Sequence, residues 1–130
     1  MSRMITDLHP DLQSICREFM AEAEKQGVDV LITCTYRSNA EQDALYAQGR
    51  SKPGPIVTRA RGGQSAHNFT LDGKPAAMAF DVVPLEHGKP CWSVGHPAWQ
   101  KLGKIGMGLG LNWYGAPGSK FTEFPHFELL

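Results

Sequence analysis

Histidine and acidic side chains at suitable spacings can hold a metal ion, and this chain has five histidines. Catalytic zinc takes three protein ligands from His, Asp, Glu or Cys and keeps a fourth position open. His9 and His96 each precede a proline, where a helix start accounts for them. His87 stands in Glu-His-Gly, a loop pattern in which exposure is the default. His67 and His126 differ, because both lie in apolar, strand-like surroundings with acids nearby. A hairpin turning about Lys74 would set His67 directly opposite Asp81. Such opposed residues have Cβ atoms about 4.5–5.5 Å apart, close enough to share one ion. Asp72 is a rival ligand, although a turn alone explains an aspartate there. Glu123-x-x-His126 brings a second acid and imidazole together. Residues three apart in a strand point to opposite faces, so the two serve one site only if the chain bends; Pro125 gives it a reason to bend. A glutamate beside a metal but not bound to it can act as general base. Taken alone, this tail favours an edge strand with a surface glutamate.

These residues need a frame. The chain has 130 residues, enough for one domain with its own core, and we expect residues 1–130 to form a single unit. Thirteen basic and thirteen acidic residues give no electrostatic case for nucleic acid or an anionic membrane surface. No apolar run reaches the ~20 residues that span a bilayer, so no membrane insertion is expected. Leu8, Leu12, Ile15, Cys16, Phe19, Met20 and Ala23 recur at helical spacing, with Pro10 suited to a first turn and Gly27 to a cap. They predict a helix over about 8–26. Residues 28–36 are β-branched and apolar, a strand with at least one fully buried stretch. Ser38 and Glu41 form a capping box that opens a second helix, to about Gln48. Residues 50–64, rich in Gly, Pro, Arg and Ser, read as a long surface loop, and their Arg50, Lys52, Arg59 and Arg61 as its solvated charges. A hairpin over 67–84 follows, with its turn in Asp72-Gly73-Lys74-Pro75, then a loop over 85–95. A third helix begins at His96-Pro97; its glycines, each costing roughly 1 kcal/mol relative to alanine, suggest an end near Gly106. The closing stretch 121–130 reads as a strand. This order gives an α+β fold with a small antiparallel sheet flanked by helices. Cys16, Cys34 and Cys91 show no paired spacing, and Cys16 and Cys34 read as buried reduced thiols.

Six short motifs then occur in one order: Thr35-Tyr-Arg-Ser38, Gln42-x-x-Leu45-Tyr46-x-x-Gly49-Arg50, Ser65-x-His67, Ala79-x-Asp81, Gly110-Leu-x-Trp113 and Glu123-x-Pro125-His126-Phe127. Each is weak alone. Together, over roughly residues 30–128, they resemble the VanY-type zinc peptidases. That group includes D-alanyl-D-alanine carboxypeptidases and L-alanyl-D-glutamate endopeptidases, within the wider hedgehog/DD-peptidase-like fold. The strongest likeness is to the endopeptidase branch, which includes phage endolysins.

The resemblance implies zinc (Zn2+) held by His67, Asp81 and His126, with Glu123 as general base. It implies that Arg37 binds a substrate carboxylate or stabilises an oxyanion, and that Ser65 assists in binding. Tyr36 and Trp113 are expected to line the substrate cleft, with a packing role open for Trp113 and Tyr114; Trp92 and Trp99 read as packing. Glu128 reads as structural, orienting a ligand from behind. Two departures stand out. Asp81 comes fourteen residues after His67, about twice the family's spacing, and many endopeptidase relatives carry aspartate where this chain has Glu123. The implied partner is the peptidoglycan stem peptide, cut most readily at its L-alanyl-D-glutamate bond by a monomer. The alternatives are a D,D-carboxypeptidase or dipeptidase acting on terminal D-alanine, and a silent zinc-stabilised wall-binding domain. The N-terminus shows no signal-peptide pattern, which suits synthesis in the cytoplasm, release through a holin pore and action at the cell wall.

Overall fold

The computed structural model describes residues 1–115 and 123–129. Residues 121, 122 and 130 of the expected closing strand lie outside the described residues. Helix α1, Pro10–Lys25, starts on its proline, and His9 Nδ1 accepts from the Asp11 amide at 3.1 Å. It buries Leu12, Cys16, Phe19 and Ala23, one stripe at helical spacing. Strand β1 is Val30–Cys34. Helix α2, Asn39–Ala47, opens with the expected capping box of Ser38 and Glu41. A long irregular segment then leads to a 3-10 turn, Ala66–Asn68.

The next strands correct the expected register. Strands β2, Thr70–Leu71, and β3, Lys74–Pro75, pair as Thr70 with Pro75 and Leu71 with Lys74. The turn is therefore Asp72-Gly73, not a loop centred on Lys74. Both turn residues take positive φ, 52° and 75°. A two-residue turn of that kind matches the twist of the strands it joins. His67 consequently lies in the 3-10 turn and does not face Asp81 across the hairpin.

Strand β4, Ala79–Glu86, runs through the centre of the sheet. It continues into residues expected to be loop, and β5, Lys89–Pro90, returns beside it through a second tight turn at His87-Gly88. Helix α3, Ala98–Gly108, passes beyond the expected end near Gly106. Its glycines are packing devices: a Cβ on Gly103 would overlap the Trp113 ring, and one on Gly106 the Phe127 ring. Strands β6, Asn112–Trp113, and β7, His126–Glu128, complete the sheet. Its order is β1-β4-β7-β6, antiparallel throughout, with β5 on β4. This is the expected α+β arrangement.

Strand alternation divides the sheet into two faces. Phe80, Val82 and Phe127 point into the core with Phe19 of α1 and Leu102 and Ile105 of α3. Asp81, His126 and Glu128 alternate with them and occupy the other face. Helices α1 and α3 thus close one side of the sheet and leave the chemistry-bearing side to the 3-10 turn and the segment after β1.

Candidate metal centre

His67 is 2 % exposed and held from two directions. The Ser65 side chain accepts from its backbone amide at 3.2 Å. Its carbonyl accepts from the Arg37 amide at 2.9 Å, which ties the turn to the end of β1. Its ring donates from Nδ1 to the Thr35 carbonyl at 2.7 Å. That bond fixes the tautomer and leaves Nε2 as a bare lone pair.

Asp81 and His126 stand opposite each other on β4 and β7. His126 turns Nε2 toward Glu128 Oε1 at 3.4 Å, and Glu128 is itself buried. With its proton directed at that carboxylate, the His126 ring presents the Nδ1 lone pair to the interior of the site. Three acceptors then converge. His67 Nε2 lies 3.2 Å from Asp81 Oδ1 and 3.2 Å from His126 Nδ1, and His126 Nδ1 lies 3.1 Å from Asp81 Oδ1. Three lone pairs at that separation repel unless a cation sits among them. Zinc bonds of ~2.0–2.1 Å in a tetrahedral arrangement space their donors roughly 3.3–3.4 Å apart. The triangle fits zinc in donor type, in tautomer and in size.

Charge supports the same conclusion. Burial alone pushes both imidazoles toward the neutral form, but hydrogen bonds to Asp81 outweigh it and hold His67 and His126 well above the usual histidine range. Burial would raise Asp81, yet its bonds to His126 and His67 keep it well below the usual carboxylate range. Without metal the site gathers protons instead. A proton on each imidazole and one zinc ion bring the same charge. A competing set, Cys34 with His67 and Asp81, also has its donor atoms within 4.8 Å of one another. Cys34 Sγ, however, lies 3.8 Å from His67 Nδ1, the nitrogen already committed to Thr35. An imidazole offers a metal one nitrogen, and the one left on His67, Nε2, lies 3.2 Å from His126 Nδ1.

Comparison with known proteins gives the family. The sequence model of VanY, D-alanyl-D-alanine carboxypeptidase, matches residues 5–87. The peptidoglycan L-alanyl-D-glutamate endopeptidase CwlK of Bacillus subtilis (strain 168) is 37% identical over 132 residues, 96% of this chain and 75% of that protein. The chain belongs to the VanY family. The crystal structure of the Serratia marcescens L-Ala D-Glu endopeptidase ChiX shares the fold, with a TM-score of 0.64 over 97% of this chain and 83% of that one, at 20% identity.

The remaining residues implied by the VanY likeness are placed unevenly. The Arg37 side chain is mostly buried, and its Nη2 lies 3.9 Å from Asp81 Oδ2. Ser65 caps the turn that carries His67. Tyr36 is half-buried and packs on the core. Trp113 departs from the expected cleft wall: it is 5% exposed, stacks on Phe127, and donates from its indole to the Phe124 carbonyl at 2.9 Å. Its ring fills the space that Gly103 leaves open, which gives it a packing role. Its neighbour Tyr114 reaches the site instead, stacking on His126 with ring centroids 6.3 Å apart. A hydrogen bond to Glu128 holds the Tyr114 hydroxyl above its usual range, and the Glu123 charge adds to this. Glu123 is exposed, and the chain bends at Phe124 and Pro125 between it and His126. Its amide meets the Tyr114 carbonyl at 3.4 Å. Sequence reasoning missed the Thr35 carbonyl, for which a backbone acceptor leaves no signal, and gave no role to Gln42 and Asn68.

Proposed function

We propose that the chain is a zinc-dependent peptidase that hydrolyses the L-alanyl-D-glutamate bond of the peptidoglycan stem peptide. The observation that carries this reading is the triangle of His67 Nε2, Asp81 Oδ1 and His126 Nδ1, with sides of 3.1–3.2 Å and both imidazole tautomers fixed from behind. The choice of bond rests on the 37% identity to CwlK, itself named for that cleavage. When bound, zinc supplies Lewis-acid polarisation at its open position. Glu123, exposed and three residues before His126, takes the proton of the attacking water and passes it to the leaving amine. Arg37 presents a planar fork to a substrate carboxylate or to the oxyanion, a geometry that lysine cannot match. Ser65 acts through the His67 turn, and Tyr36 supports the Arg37 segment. The substrate sets the place of action at the cell wall.

A second reading, removal of terminal D-alanine, is favoured by the description of the VanY model that matches residues 5–87. Mass spectrometry of peptidoglycan digested by the purified protein separates the two. New ends between L-alanine and D-glutamate, abolished by chelator and restored by zinc, are expected. Release of D-alanine alone selects the second reading. Undiminished hydrolysis by metal-free protein sinks both.

A further inference from the structure

Gln42 belongs to one of the six motifs yet has no part in the chemistry described above. It is 0% exposed in helix α2, and a buried side-chain amide needs a reason. Its four contacts supply one. Gln42 Oε1 accepts from Arg37 Nη1 at 2.9 Å and from Asn68 Nδ2 at 3.4 Å. Gln42 Nε2 donates to Thr58 Oγ1 at 3.2 Å and to the Ala60 carbonyl at 2.9 Å. Asn68 also donates to the Arg37 carbonyl at 2.9 Å and accepts from the Ser65 and Gly63 amides at 3.1 Å each. One buried amide therefore joins the guanidinium, the turn that carries His67 and the long loop.

Arg37 needs restraint because a rival carboxylate stands beside it. Its Nη2 already makes a loose ion pair with Asp81 Oδ2 at 3.9 Å, and a small rotation would tighten this into a hydrogen-bonded pair. A guanidinium and a carboxylate favour a bidentate pair. Such a pair would occupy the fork meant for substrate and draw on the carboxylate of the metal triangle. Gln42 Oε1 holds Nη1 on the α2 side, and the satisfied Nε2 of the same amide keeps that oxygen from swinging away. We propose that Gln42 is a positioning residue for the reaction: it keeps the Arg37 guanidinium from closing further on Asp81 and aims it at the substrate's carboxylate or developing oxyanion. This rests on the peptidase reading of the site.

The test is a double-mutant cycle with an independent structural readout. Gln42→Met keeps the volume and removes the acceptor. It is expected to lower kcat/KM on a purified muropeptide by about 10- to 100-fold, the loss typical when a charge-assisted hydrogen bond that aligns a reacting group is removed. In an Arg37→Ala background the same substitution is expected to cost less than about 3-fold, because the group it positions is gone. Thr58→Val, which removes only a loop-side bond, is expected to stay within about 3-fold of the parent. The Arg37 side-chain NMR signals should shift in Gln42→Met and stay in place in Thr58→Val. An equal cost of Gln42→Met in both backgrounds would overturn the proposal, as would unmoved Arg37 signals. Should Gln42→Met not fold, Gln42→Glu retains the acceptor but adds a charge that competes with substrate for Arg37; a raised KM is expected, and an unchanged one overturns the idea. A wild-type protein inert toward muropeptide counts against the peptidase reading, whereas the NMR comparison judges Gln42 by itself.

Discussion

Two clusters of side chains that could ligate a metal occur among the described residues, and they differ in what lies behind each imidazole. One gathers His67, Asp81 and His126, with Cys34 beside them; the other is Glu86, Cys91 and His96, with donor atoms within 4.8 Å of one another near the β4–β5 turn and the start of α3. In the first, the Thr35 carbonyl and the Glu128 carboxylate accept from the outer ring nitrogens, so the inner nitrogens are left for a metal or, without one, a proton. In the second, His96 Nδ1 accepts the Ala98 amide at 3.1 Å. The neutral ring must then carry its proton on Nε2, the nitrogen that faces Glu86 Oε2 at 3.7 Å. Residue types alone would rank a Glu-Cys-His set as a good zinc site. The partner on the far nitrogen decides otherwise: an acceptor behind the ring prepares a ligand, and a donor behind it prepares a helix cap.

The widest gap between the clusters should appear in metal content. Purified protein is expected to hold about one zinc per chain, and His126→Ala to lose both the metal and all hydrolysis, as measured by elemental analysis and muropeptide assay. A variant that keeps its zinc would move the site to Cys34 or to the second cluster. The next effect is on pH. Asp81 holds both His67 and His126 above their usual range against the pull of burial, so the metal-free rings carry protons at neutral pH. Zinc must displace those protons, and affinity therefore rises with pH, by up to about 100-fold per unit where two leave together. Chelator competition between pH 6 and 8 reads the slope; a flat line contradicts the charge argument. Glu128→Gln comes third. It removes the carboxylate behind His126 and is expected to weaken zinc about 10- to 100-fold, with the fold intact by circular dichroism.

What the sequence disclosed follows from the range of each interaction. Helix α1 and the Ser38–Glu41 box depend on residues within one or two turns, and their spacing was readable. The hairpin signal was also local, but it was Asp72-Gly73 alone; treating four residues as the turn displaced the centre. His87 and Gly88, with φ of 53° and 76°, repeat that pattern in the stretch read as loop. The sequence brought His67 and Asp81 together by way of a mistaken register, and the structure sets them 3.2 Å apart by another route. They meet because backbone bonds from Arg37 to His67 and from Met78 to Ala66 dock the 3-10 turn against the sheet, and no spacing rule encodes that. Trp113 was legible as an aromatic near the site motifs. Its burial depends on Gly103, ten residues earlier on another element, whose bare face gave the only hint of a ring to be received.

The smallest effects should come from disrupting the second cluster. Cys91→Ser is expected to leave zinc at about one per chain, and His96→Ala to do the same while lowering stability by about 0.5–2 kcal/mol through the lost cap on α3. Thermal unfolding beside metal analysis separates the two consequences. Thiol labelling extends the test to the wild-type chain. Cys91 is half-buried and should react equally with and without zinc, since no metal covers it. Cys16, buried with its thiol pushed up to about 12 by desolvation, serves as the unreactive control in both states. Protection of Cys91 by zinc would mean that the His96 ring can release the Ala98 amide and reverse its tautomer, and that the group behind an imidazole is a preference the metal can override.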